Sequence, residues 1–195
     1  MYNLILASSS RRQIVLLESI GYKPDKIVSV CINEEPRQKE LPRKLVERLA
    51  LEKVGHIREK FPSCLILGTA TMVARGRRMF PKPRDKTEAC NYLKSLSGRR
   101  HTVYTAVCVM KAHESFTKVV ETKLKFKLLT NQEINVILES NEWKEMHGGY
   151  DLQGVAGAYI SWINGHVSNV IGLPVHETYK ILSGAIGLKQ AVGNV

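Results

Sequence analysis

Residues 7 to 12 read A-S-S-S-R-R and stand where a short apolar run meets a helix-like pattern. At such a junction, backbone N–H groups, the positive end of a helix, serine hydroxyls and arginine can converge on one anion, so the segment is a candidate phosphate cradle. An N-cap followed by solvated arginines accounts for the same residues. Further on, I-N-E-E-P places Glu34 and Glu35 side by side in a basic chain. A carboxylate there can hold Mg²⁺ against a phosphate, or the two acids are a surface pair. In M-F-P-K-P-R-D, Lys82 is fixed between two prolines, a stiff mount for aiming a cation at a charged group. In H-G-G-Y-D-L-Q-G, closely spaced glycines allow a planar ligand to approach the backbone, and the Gln153 amide can read a base edge. Against these stands L-G-T-A-T-M-V, a buried-strand pattern whose tip offers Thr69, Ala70 and Thr71 but no carboxylate, histidine or cysteine.

The elements that must position these groups follow from periodicity and punctuation. Tyr2–Ala7 reads as a strand. Ser10 is placed to N-cap a helix with Ile14, Leu17 and Ile20 on one face and Gly21 as its stop. Pro42 opens a second helix whose buried stripe is Val46, Leu49, Ala50, Val54 and Ile57. The stretch I-V-S-V-C-I before Glu34 is strand-like, and Leu65–Val73 is a strand. Asp85 with Glu88, and Thr130 with Glu133, form capping patterns for two more helices, the first ending at Gly98. His101–Lys111 and Val120–Leu128 alternate, with Leu124, Phe126 and Leu128 expected inward and Lys123, Lys125 and Lys127 outward. They are expected to pair as a hairpin through the polar loop around His113–Ser115. Asn164–Gly165, between A-Y-I-S-W-I and H-V-S-N-V-I-G, signals a two-residue hairpin. Pro174 precedes a last amphipathic helix with Val175, Tyr179 and Leu182, and the tail after Gly187 is expected to be loose. The sum is an α/β fold with parallel and antiparallel pairing.

With 195 residues and 44% hydrophobic content, the composition is that of an ordinary soluble globular protein. The length suits one sizeable domain or two small lobes, and the reading adopted is a single domain over residues 1–195. No apolar stretch approaches the ~18 residues of a membrane span. The N-terminus lacks the basic flank of a signal peptide. Cys31, Cys64, Cys90 and Cys108 are widely spaced and form no C-x-x-C pair, which points to reduced thiols in a cytoplasmic protein. A net charge of +11 and a pI near 9.6 call for anionic partners, without choosing among nucleic acid, a membrane surface and phosphorylated small molecules.

The order of the motifs is more specific than any one of them. L-I-L-A-S-S-S-R-R, N-E-E-P, L-P-R-K-L-V-E-R-L-A-L-E-K-V, F-P-K-P-R-D, L-S-G-R-R-H-T-V-Y-T-A-V, G-G-Y-D-L-Q-G and N-V-I-G-L-P-V-H-E-T-Y-K-I-L together resemble the Maf family, from Leu4 to about Leu182. Maf-like proteins are nucleoside triphosphate pyrophosphatases similar in fold to inosine triphosphate pyrophosphatase. The resemblance implies an elongated, twisted mixed sheet flanked by helices, with two lobes and a central cleft. It also implies attack of water on the α-phosphorus of a nucleoside triphosphate, aided by a divalent cation, Mg²⁺ or Mn²⁺. By position, Ser8, Ser10 and Arg12 match the family's phosphate-binding turn and Lys53 a lysine of its R-L-A-x-x-K helix. Glu34 matches its metal-associated acid and Lys82 a phosphate-neutralising lysine. Arg12, Thr71 and Gln153 fit the specificity positions of the dTTP/UTP branch. A homodimer in the cytoplasm is implied as well.

The resemblance breaks where the chemistry is expected. Thr69, Ala70 and Thr71 stand where the family has A-D-T, so the aspartate assigned as proton acceptor or metal ligand is absent. Arg11 replaces a proline, Gln13 the second arginine of S-P-R-R, and Met146 a loop lysine. Three readings follow: a pyrimidine nucleoside triphosphate pyrophosphatase slowed by Ala70, a degenerate nucleotide-binding protein with a regulatory role in cell division, and a basic nucleic-acid-binding protein. Arg75, Arg77, Arg78, Arg99 and Arg100 motivate the third, but no aromatics are interleaved with them for stacking, so nucleic acid is the least expected partner.

Overall fold

Parallel pairing of three hydrophobic strands starts the architecture, seen in a computed structural model that describes residues 3–186. Strand β1 (Leu4–Leu6) lies between β2 (Lys26–Ile27) and β3 (Leu65–Arg75), with Leu6 opposite Ile27 and Leu67. Leu65, Ile66 and Leu67 are all buried, the signature of a strand covered on both faces. One face packs on α1 (Arg11–Ser19) and α6 (Val175–Ile186) in a core containing Leu4, Leu17, Leu67 and Leu182. The other face meets α2 (Pro42–Arg58). A Cβ on Gly68 would stand 3.3 Å from the Ala50 carbonyl oxygen and from Val54, so glycine is what lets helix and strand approach this closely. As expected, Pro42 opens α2 at its first turn, and Val46, Leu49, Ala50, Val54 and Ile57 are buried.

The chain divides into two compact units. The first takes the residues up to Ala70, Thr105–Val120 and those from Gly172 on; the second takes Thr71–Tyr104 and Glu121–Ile171. The second unit's core gathers Val73, Phe80, Leu93, Val103, Phe126 and Ile137. They come from β3, β4 (Arg78–Phe80), α3 (Lys86–Leu96), β5 (Arg100–Lys111), β6 (Glu114–Phe126) and α4 (Asn131–Glu139). Strand β7 (Ile160–Asn164) pairs antiparallel with β6, and α5 (Val167–Ile171) follows it. The strands form one mixed sheet in the order β2-β1-β3-β5-β6-β7, with β4 on β3, which bears out the expected mixed α/β class.

Several local expectations needed correction. Val28 still bonds to Leu6, but I-V-S-V-C-I is strand only at Ile27; the rest is irregular. Leu128 is 76% exposed because β6 ends at Phe126. The hairpin expected at Asn164–Gly165 does not form. Thr122 Oγ1 donates to the His166 carbonyl and accepts the His166 N–H, both at 3.1 Å, and His166 Nδ1 meets Ser168 Oγ at 2.7 Å. These polar clasps turn the chain into α5 rather than a returning strand. Thr130 and Glu133 make the full reciprocal cap, whereas Glu88 reaches back to the Arg84 N–H, one residue short of the cap position. The β5–β6 turn is tight, at Ala112–His113. The tail after Gly187 lies outside the described residues.

Candidate active site

The first unit carries the serine–arginine turn and the acid–lysine pair. Ser8 Oγ accepts the Ser10 N–H at 3.1 Å, closing the turn between β1 and α1. Ser10 takes the N-cap position as expected, but its hydroxyl makes no capping hydrogen bond. No acidic residue occupies the first turn of α1, so the helix's positive end carries two arginines and no carboxylate of its own. Gln13, where the resemblance expects arginine, holds its amide oxygen buried without a hydrogen-bond partner.

Glu34 and Lys53, 19 residues apart in sequence, meet as an ion pair at 2.5 Å, with the lysine side chain only 17% exposed. The loop carrying Glu34 is pinned to α2 through Arg48. That guanidinium grips Glu40 with two bonds of 2.8 Å, reaches Glu52, and donates to the Glu35 carbonyl at 3.1 Å. The bidentate grip holds the Glu40 carboxyl down at about 2. On β3, Ala70 is buried and Thr71 half-buried, and the buried Thr69 hydroxyl has no hydrogen-bond partner.

The second unit carries Lys82 and Gln153. Lys82, stiffened by its flanking prolines, pairs with Glu145 at 2.7 Å, and both side chains are well exposed. Gln153 is exposed, and its N–H bonds the Asp151 carboxylate at 3.0 Å in a local turn. Two contacts fix this glycine-rich loop. A Cβ on Gly148 (φ 77°) would press on Tyr150 and Val73 at 3.1 Å, and Glu142 accepts the Val155 N–H at 2.8 Å. Sequence reasoning missed Glu145 and Glu142. No linear signal marks a carboxylate 63 residues from the lysine it pairs with.

It also missed the support beneath the loop. Tyr150 and His101, both buried, meet oxygen to Nε2 at 2.7 Å. Burial raises the Tyr150 hydroxyl far above the ordinary phenol, so it keeps its proton and donates to a neutral imidazole. Burial likewise lowers His101 to about 4, partly opposed by the Arg99 backbone. Between pH 4 and the ~6.5 of an unfolded histidine, the unfolded chain holds the extra proton. This stabilisation is therefore complete above pH ~6.5 and drains as pH falls, reaching about 3 kcal/mol of loss. Urea midpoints between pH 4 and 7 should fall more steeply for the natural chain than for His101→Gln, which keeps an acceptor but does not titrate there. Parallel declines would rule this out.

The expected divalent cation finds a thin donor set. Among the described residues, no three or more His, Cys, Asp or Glu side chains come together to hold a metal ion, and Glu34 is engaged by Lys53. No helix among the described residues is long and apolar enough to cross a membrane. The four cysteines are free thiols.

The chain is an α/β protein whose first unit carries a serine–arginine turn and the paired Lys53, and whose second unit carries the paired Lys82, groups of the kind that meet phosphate oxygens. A solved structure of a HAM1 protein from Coxiella burnetii shares the fold, with a TM-score of 0.53 at 12% identity, covering 95% of this chain and 100% of that one. The family model described as Maf-like protein matches residues 3–185, and the chain belongs to that family. A relative from Wolbachia sp. subsp. Drosophila simulans named dTTP/UTP pyrophosphatase is 45% identical, over 93% of this chain and 92% of its own. One of the same name from Gluconobacter oxydans is 44% identical, over 93% and 86%. A nucleoside triphosphate pyrophosphatase from Ehrlichia chaffeensis is also 44% identical, over 93% and 95%.

Proposed function

We propose that this chain hydrolyses pyrimidine nucleoside triphosphates, dTTP and UTP foremost, to the monophosphate and pyrophosphate, at a rate held down by Ala70. The observation that carries this reading is the 45% identity, over nearly the whole chain, to a relative named for that activity. The site chemistry supports it. Phosphoryl chemistry of this kind is mostly positioning and charge neutralisation, and the chain offers cations and donors for both. Ser8, Ser10 and Arg12 receive phosphate oxygens at the start of α1. Lys53 and Lys82 exchange their carboxylate partners for the triphosphate and spread the charge that develops on the leaving pyrophosphate. Arg12, Thr71 and Gln153 select the nucleotide, the Gln153 amide by hydrogen bonds to a base edge.

The cation enters as part of the substrate, the Mg²⁺ or Mn²⁺ complex of the triphosphate, with Glu34 as the carboxylate assigned to it. A cytoplasmic homodimer is the expected form, which sedimentation would check. The test of function is pyrophosphate release from dTTP, UTP and CTP with either cation, beside calorimetric binding of the same nucleotides. Slow release with pyrimidine preference is expected. A second reading, a nucleotide-binding protein without useful turnover, is favoured by Ala70 alone, since loss of a carboxylate removes negative charge near phosphates while deleting the base. Tight binding with no release would establish it and sink the first.

A further inference from the structure

One sheet face of the second unit gathers cations around an aromatic side chain. Strand β5 offers Arg100 and Thr102, β6 offers Lys123 and Lys125, and β7 offers Trp162 and Asn164. The register sets Lys123 opposite Asn164 and Lys125 opposite Trp162. Arg100 lays its guanidinium over the Trp162 ring, 4.8 Å from the centroid. Alternation sends His101, Val103, Leu124 and Phe126 into the core, so this polar set stands on the opposite face. An open depression of about 490 Å³ lies among Arg100, Thr102, Lys123, Trp162 and Asn164.

The linear sequence lacked an aromatic among its arginines, and β7 supplies one across the sheet. The structure also sorts those arginines. Arg75 and Arg99 donate to the Ser95 carbonyl near the C-terminus of α3, at 2.8 and 3.4 Å, and Arg78 reaches Ser95 Oγ while covering Phe80. They serve the helix end, where cations are favoured. Arg100 does not join them. Arg100, Lys123 and Lys125 outnumber Glu121, the acid that alternation places on this face of β6.

We propose that this face binds single-stranded nucleic acid. An unpaired base stacks on the Arg100–Trp162 pair, and Lys123 and Lys125 meet the flanking phosphates. A chain with net charge +11 brings the complementary field. A duplex keeps its bases stacked inside and cannot use the aromatic. An anionic membrane can use the lysines but not the stacking.

The test is fluorescence anisotropy of a labelled twelve-nucleotide oligothymidylate with the full chain, alongside the same-length duplex and vesicles of phosphatidylserine with phosphatidylcholine. At about 50 mM salt the single strand should bind with Kd between about 1 and 100 µM. A log–log salt slope of about −2 is expected if three cations meet phosphates. Trp162→Ala should weaken binding about 5–150-fold. Lys123→Glu should flatten the slope by about one. Binding should quench emission from Trp162 while Trp143, buried in the core, is unaffected. Pyrophosphate release by both variants should match the natural chain, so failure here is separate from failure of the proposed catalysis. The proposal is overturned by no single-strand binding, by duplex or vesicle binding of equal strength, by indifference to Trp162→Ala, or by competition from dTTP.

Discussion

Replacing Ala70 with aspartate should raise the rate of pyrophosphate release from dTTP by about 10²–10⁴-fold, the usual contribution of a positioned proton acceptor. The geometry favours a productive placement. Gly68 and Ala70 share a face of β3, and a Cβ built on Gly68 stands 3.6 Å from Lys53 Cβ. A side chain at position 70 therefore emerges on the face that meets α2, one pleat along from the stem of Lys53. Placing a charge where alanine is 5% exposed carries a desolvation cost. Some loss of stability, about 1–3 kcal/mol, should accompany the gain in rate. The comparison that isolates the chemistry is Ala70→Asn, which has the same shape and no basic oxygen. It should show the stability loss and none of the rate gain. If aspartate brings no gain either, the missing acid is not the limiting defect. Gln13→Arg and Met146→Lys, the other departures from the family pattern, then become the variants to measure.

How much of this was written in the sequence depends on the range over which each interaction acts. The stripe on α2, the proline at its start and the Thr130–Glu133 cap were legible because each is decided within a few residues. The absence of an acid between Thr69 and Thr71 was legible for the same reason. Leu128 was misplaced because alternation does not say where a strand stops. The turn after Asn164 was misread because a side chain 44 residues away, Thr122, clasps His166 from both sides. The pairs that shape the candidate site are longer still. Lys82 with Glu145, His101 with Tyr150 and Arg100 with Trp162 are each joined by sheet register or loop packing, which local pattern does not encode.

Phe126→Ala should cost about 3–5 kcal/mol, a large part of the ~5–15 kcal/mol that holds a typical domain folded. Phe126 is fully buried, with the Tyr150 ring edge-on at 5.0 Å and the His101 ring stacked at 5.6 Å. Truncation removes both ring contacts, each worth about 0.5–1.5 kcal/mol beyond burial. It also leaves a cavity beside a buried hydrogen bond that holds only while the two rings stay in place. The damage reaches the site through sequence: Tyr150 stands between the tight Gly148–Gly149 turn and the Asp151 turn that presents Gln153. Urea titration should show the midpoint drop, with Phe126→Leu losing clearly less and the 44%-exposed Phe116→Ala within about 0.5 kcal/mol of the natural chain. At temperatures where the variant stays folded, its KM for dTTP should rise more than its kcat falls, because a loosened loop presents Gln153 poorly but leaves the serine–arginine turn before α1, the proposed phosphate site, untouched. A cost below about 1 kcal/mol would mean that the three rings are neighbours without being a joint support, and that the glycine-rich loop is held by Glu142 alone.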